Sequence, residues 1–102
     1  MYHIQLLLPL YDNEGRAFAR ADFARVRDEL TEKFGGVTAH TRSPAEGVWK
    51  DEAGAVARDN VVAFEVLTDT LDRDWWSKYR DALAARFRQD ELMITASEVE
   101  RL

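Results

Sequence analysis

The apolar residues of this chain switch repeatedly between a spacing of two and a spacing of three to four, and the order of those switches limits the fold more than any other feature. Tyr2, Ile4, Leu6, Leu8 and Leu10 alternate with His3, Gln5, Leu7 and Pro9, which is strand spacing with one strongly apolar face. Asp12, Asn13, Glu14 and Gly15 then make a turn, because Asx side chains bond their own backbone and glycine tolerates positive φ. From about Ala21, Phe23, Val26, Leu30 and Phe34 form one helical stripe, closed by Gly35 and Gly36 where helices favour a left-handed residue. Val37, Ala39 and Thr41 alternate with Thr38, His40 and Arg42 in a second strand that ends at Ser43 and Pro44.

Residues 46–58 read as a hairpin tip, with Val48 to Lys50 pairing with Ala55 to Ala57 across Asp51, Glu52, Ala53 and Gly54. Asn60 to Leu67 is a third strand, and its continuous apolar run Val61 to Phe64 suits a central position. Asp72 is an N-cap for a second helix, placing Leu71 and Trp76 at the two positions of a hydrophobic staple. Trp76, Tyr79, Leu83 and Phe87 carry that helix's buried stripe, and Leu92 to Val99 is the last strand. Trp75 and Trp76 are adjacent and so point to different faces, Trp76 to the core and Trp75 to the sheet margin.

The order strand, helix, strand, strand, helix, strand is that of an α+β ferredoxin-like βαββαβ sandwich, a four-stranded antiparallel sheet carrying two helices on one face. Right-handed crossovers give the spatial order four, one, three, two. All 102 residues fit one such domain, and 46% hydrophobic residues suffice for a core, which excludes disordered and fibrous classes. Fourteen Lys and Arg against nineteen Asp and Glu leave a net charge of −5, without the basic field that draws nucleic acid or anionic membrane. There is no cysteine, hence no disulfide or thiolate chemistry. The apolar stretch Leu6 to Leu8, with Leu10 and Tyr11 beyond Pro9, is far too short for a membrane span, and no basic leader precedes it, so the expected location is the cytoplasm.

Side-chain alternation also assigns the face turned away from the helices. With Ile4, Leu6 and Leu8 inward, His3, Gln5 and Leu7 face out; Thr38, His40 and Arg42 face out from the second strand. Val61, Ala63 and Glu65 do so from the third, and Met93, Thr95 and Ser97 from the fourth. The resulting surface mixes apolar side chains with two histidines, an arginine, a glutamate and a glutamine. Contiguous surface of that kind marks an interface or a ligand groove. The expectation is therefore a homodimer through the open sheet face, with His3, Gln5, His40, Arg42, Trp49 and Glu65 as candidate ligand-binding residues for a small molecule. Each has a plainer reading: half-exposed strand histidines, a cross-strand ion pair between Arg42 and Glu65, and a Trp49 folded over its own sheet edge instead of reaching across a dimer.

Other chemistry finds no support in the residues. No G-x-S-x-G elbow surrounds Ser43, Ser77 or Ser97, and Gly35 and Gly36 follow a helix where a phosphate cradle must precede one. A metal set of His3, His40 and Glu65 is disfavoured because the third strand separates the two histidines. RNA recognition through the sheet needs exposed aromatics where this chain has His3, Gln5, Val61 and Ala63. No cofactor, metal, nucleic acid or membrane is expected.

The segments Phe34-Gly35-Gly36-Val37-Thr38 and Glu46-Gly47-Val48-Trp49-Lys50-Asp51, followed by the strand Val61 to Val66, resemble small uncharacterised bacterial proteins of unknown function. Those are similar in layout to dimeric α+β barrel proteins, and the resemblance implies a homodimer whose sheets pack together. Two functions follow as expectations. One is a homodimeric binding or structural module. The other is a cofactor-free enzyme, of isomerase or monooxygenase type, on a small organic acid or aromatic. In it His40 or His3 acts as general base, since imidazole titrates near neutrality, and Arg42 holds an anionic oxygen.

Overall fold

The computed structural model describes the backbone of residues 1–50 and 56–102 and the side chains outside residues 40–60. Its elements are β1 (Tyr2–Pro9), α1 (Arg20–Phe34), β2 (Thr38–Lys50), β3 (Val56–Thr68), α2 (Arg73–Arg86) and β4 (Met93–Glu98). The sheet is antiparallel in the order β2-β3-β1-β4, the order expected from the crossovers. β1 and β3, the two strands richest in apolar residues, occupy the middle.

Alternation along β1 decides which layer is which. Ile4, Leu6 and Leu8 are buried, as are Val62, Phe64 and Val66 of β3, and together with Val26, Leu30, Trp76, Leu83 and Phe87 they form one core between sheet and helices. Among the described residues no buried side-chain polar atom lacks a partner. The cost of burying unpaired polar groups is thus avoided.

Local chemistry sets the helix ends. Asp22 turns back so that its carboxylate accepts the Ala19 backbone N–H at 3.2 Å, and Gly35 closes α1 at φ 80°. Asp72 caps α2 by accepting the Trp75 N–H at 3.1 Å, and Leu71 packs against the core beside Trp76. In the first turn, the Asp12 carboxylate accepts the N–H groups of Glu14 and Arg16, both at 2.9 Å, while Gly15 supplies the positive φ. Those bonds to the charged form hold the Asp12 carboxyl below its ordinary range, led by the bond from Arg16.

The two helices are joined by a three-way contact. Arg86 of α2 donates to both oxygens of Glu29 of α1, at 2.5 and 2.7 Å, and the Tyr79 hydroxyl donates to the same carboxylate at 3.1 Å. The Arg86 hydrogen bonds hold Glu29 below the usual carboxylate range and push the Arg86 guanidinium upward. Burial, then the charge of Glu29, push the Tyr79 phenol up.

Three expectations are corrected. The second strand does not stop at Ser43 and Pro44: β2 runs on to Lys50, with a register shift between Arg42 and Gly47. Residues 43–46 there oppose the single residue 60, because Arg42 pairs with Val61 and Gly47 with Asp59. An irregularity of this kind accommodates a proline that cannot donate to the ladder. The hairpin arms pair one residue later than expected, Val48 with Arg58 and Lys50 with Val56, and β3 correspondingly begins at Val56 instead of Asn60. The turn expected at Asp51 to Gly54 lies outside the described residues.

Trp75 and Trp76 do not part onto separate faces. Trp75 meets Phe34 edge-on at 5.5 Å, stacks on Tyr79 at 4.8 Å, and carries Lys33 Nζ 4.5 Å from its ring centroid. Trp76 lies edge-on to it at 4.7 Å and stacks on Phe34 at 5.2 Å. Adjacent helical positions diverge by about 100°, but indoles are wide enough for both to reach Phe34, and the two tryptophans join one cluster at the end of α1.

Candidate functional site

Register converts the open face from a list of residues into rows. On that face His3 stands between Leu67 of β3 and Ser97 of β4, Gln5 between Glu65 and Thr95, and Leu7 between Ala63 and Met93. Thr38, His40 and Arg42 of β2 extend the rows from Glu65, Ala63 and Val61. On β1, alternation puts His3, Gln5 and Leu7 on the face opposite the buried Ile4, Leu6 and Leu8.

Three of the six candidate residues meet. Gln5 and Glu65 are direct cross-strand partners, and His3 Nε2 lies 3.8 Å from Glu65 Oε1 with both side chains about one-third exposed or less, at 32% and 27%. At that distance the two groups stand side by side without a hydrogen bond between these atoms.

Arg42 is placed differently. Its register partner is Val61, four residues along β3 from Glu65, or about 13 Å at strand rise. The cross-strand pair that the sequence suggested between Arg42 and Glu65 is therefore not a register pair; the neighbour of Glu65 on β2 is Thr38. The side chains of His40, Arg42 and Trp49 lie outside the described residues. Their strand positions are opposite Ala63, Val61 and Ala57. β3 runs between the strands bearing His3 and His40, as anticipated for the metal argument. Among the described residues there is no group of three or more His, Asp or Glu poised to hold a metal ion.

Around the polar trio the surface is apolar. Leu67 is 56% exposed and Met93 59%, and both stand on this face. Leu7 and Val61 are half-buried, and Ala63 is fully buried. Leu67 is not among the open-face residues named from the sequence, although it continues the alternation Val61, Ala63, Glu65 by one step. No described helix is long and apolar enough to cross a membrane.

No protein-family model matches the chain, and no curated protein matches it in sequence. Among solved structures it is similar to a phage SAM lyase in complex with S-methyl-5′-thioadenosine, with a TM-score of 0.57 and 14% identity. That match covers 95% of this chain and 80% of the other. The apo state of a phage SAM lyase matches at TM-score 0.56 and 14% identity, covering 95% and 79%. At such identity the likeness is one of fold, a small α+β architecture shared over nearly the whole chain.

Proposed function

We propose that this chain is a self-associating binding domain that holds a small polar ligand against the open sheet face, between copies. The observation that carries this reading is the convergence of His3, Gln5 and Glu65 inside a surface where Leu67 and Met93 are more than half exposed. Exposed apolar side chains on a flat sheet face lose stabilisation unless something covers them. A few convergent polar groups within apolar walls are the usual anatomy of a small-ligand site. A second copy related by two-fold symmetry brings a second Leu67 and Met93 to the same space.

Sedimentation velocity on the whole chain tests this. The expected result is a species of twice the 11.7 kDa chain mass, reduced to the chain mass by Leu67→Lys with Met93→Lys at unchanged circular dichroism. A monomer at every concentration refutes the self-association.

A second reading is enzymatic, and the fold shared with phage SAM lyase favours it. S-adenosylmethionine is a sulfonium cation, and a partly buried carboxylate supplies a counter-charge that water screens only in part. Here Glu65 faces the sulfonium, and no cofactor is needed. Incubation with S-adenosylmethionine, followed by chromatography for S-methyl-5′-thioadenosine, is the assay. Product formed by the parent protein and lost in Glu65→Gln at unchanged melting temperature supports a lyase; no product above the spontaneous background removes it and leaves the binding reading standing.

A further inference from the structure

A second concavity lies on the opposite layer, where α1 meets the sheet. α1 packs chiefly on β3, and beside it opens a groove of about 590 Å³ whose floor is Val62 and Phe64 and whose wall is Phe18 and Phe23. That volume falls within the ~300–1,000 Å³ typical of small-ligand sites. Its rim is cationic. Arg20, Phe23, Ala24 and Arg27 all line it, and their i, i+3, i+4, i+7 spacing makes them one stripe of the helix. Arg20 and Arg27 stand seven residues apart, about 10 Å of helix rise at the backbone, with Phe23 and Ala24 between them.

The aromatic wall is fixed before any ligand arrives. Phe18 meets Phe87 edge-on at 5.0 Å and Phe23 at 6.5 Å, and Phe23 lies 5.5 Å from Phe87, so a buried ring of α2's end backs both. Arg88 lies 5.2 Å from the Phe18 ring centroid. The rim charges are available. Among the described residues Arg20 takes part in no ion pair, and Arg27 meets only its chain neighbour Asp28 at 3.3 Å. Both groups of that pair are more than half exposed, and such a pair contributes little. Two arginines framing an aromatic slot, on a protein of net charge −5, constitute local charge selection that the chain as a whole does not provide.

We propose that this groove binds a small amphipathic monoanion, an aryl or short alkyl carboxylate, with its apolar body against Phe18, Phe23 and Phe64 and its carboxylate on Arg20 or Arg27. The site is distinct from the open sheet face, and its occupancy does not depend on self-association there.

The matched probes 4-phenylbutyrate and 4-phenylbutylamine share an apolar body and differ in the sign of charge. Titrated into the ¹⁵N-labelled whole chain, the carboxylate is expected to shift amides at Phe18, Phe23, Ala24 and Val62 and to bind at least about tenfold tighter than the amine. Arg20→Glu with Arg27→Glu reverses that preference, and Ala24→Trp, which fills the groove from its half-buried wall, abolishes binding of both probes. Equal affinity for the two probes overturns the proposal, as does retained binding in Ala24→Trp. Shifts confined to His3, Glu65, Leu67 and Met93 overturn it too, while leaving the sheet-face reading intact.

Discussion

Replacing Glu29 with glutamine tests the electrostatic tie between the helices at nearly constant shape. The carboxylate receives two charged hydrogen bonds from Arg86 and one from the Tyr79 hydroxyl, whereas the amide oxygen is neutral and its nitrogen faces Arg86 as a second donor. Hydrogen bonds to charged groups contribute roughly 1.5–3 kcal/mol in protected settings. Here the Glu29 side chain is 35% exposed and that of Arg86 24%, so solvent screening reduces the expected loss to about 1–2 kcal/mol. For a domain of this size that is a fall in Tm of about 5–10 °C.

The effect has a defined pH dependence. Glu29 has its carboxyl lowered in the folded state, by the Arg86 hydrogen bonds first, from an ordinary value of 4.5. Its stabilisation is fully present above the unfolded value and is lost as the pH falls through the lower, folded one. The Tm gap between the parent and Glu29→Gln is accordingly complete at neutral pH and closes progressively below 4.5. Calorimetry of both proteins across that range is the assay. A gap that is absent at pH 7, or that persists unchanged into strong acid, refutes the assignment of stability to this carboxylate.

Phe64→Ala empties the centre of the core, where the ring is 2% exposed, and costs about 3–5 kcal/mol; urea denaturation should register it as a lower midpoint at near-constant slope. Asp72→Ala removes the side-chain acceptor of the Trp75 N–H and lowers stability by about 1 kcal/mol in the same assay, with Asp72→Asn restoring most of the loss. Gly35→Ala meets no atom within 4 Å, yet φ is +80° there, so the expected loss of about 1 kcal/mol comes from the backbone alone. Gly36→Ala, at a glycine without positive φ and equally uncrowded, should change little.

These residues also show where a sequence is readable and where it is not. Parity is local: the inward turn of Ile4, Leu6 and Leu8 follows from side-chain alternation and a single apolar face, and the buried set agrees. The caps at Gly35 and Asp72 were equally legible, because each satisfies its helix end with its own atoms or its own φ. Register is not local. Placing Gln5 opposite Glu65, and Arg42 opposite Val61, depends on loop lengths and on the irregularity between Arg42 and Gly47, which shifts every later pair of the hairpin. A sequence reading could name His3, Gln5 and Glu65 as members of one face, but their convergence required the register. The two tryptophans depart from the expected separation for a different reason: helical phase predicts where a Cβ points, not how far an indole reaches beyond it.

The groove beside α1 is a feature that helical spacing alone does not reveal. That spacing places Phe23 in the buried stripe with Val26, Leu30 and Phe34, which accounts for it without calling on Arg20 or Arg27. Whether such a boundary position ends as core, as wet flank or as the wall of a cleft is decided by where the helix axis falls across the sheet. Here α1 sits chiefly on β3 while Ala39 of the outer strand β2 lines the groove beside it. The uncovered width of sheet therefore becomes concave surface, and the arginines one turn either side of Phe23 and Ala24 become its rim. A helix displaced towards β2 would close that space and leave Arg20 and Arg27 as ordinary solvated charges. The opposite-charge pair of probes consequently reports on helix placement as well as on binding: a carboxylate preference requires the cleft and the cationic rim together.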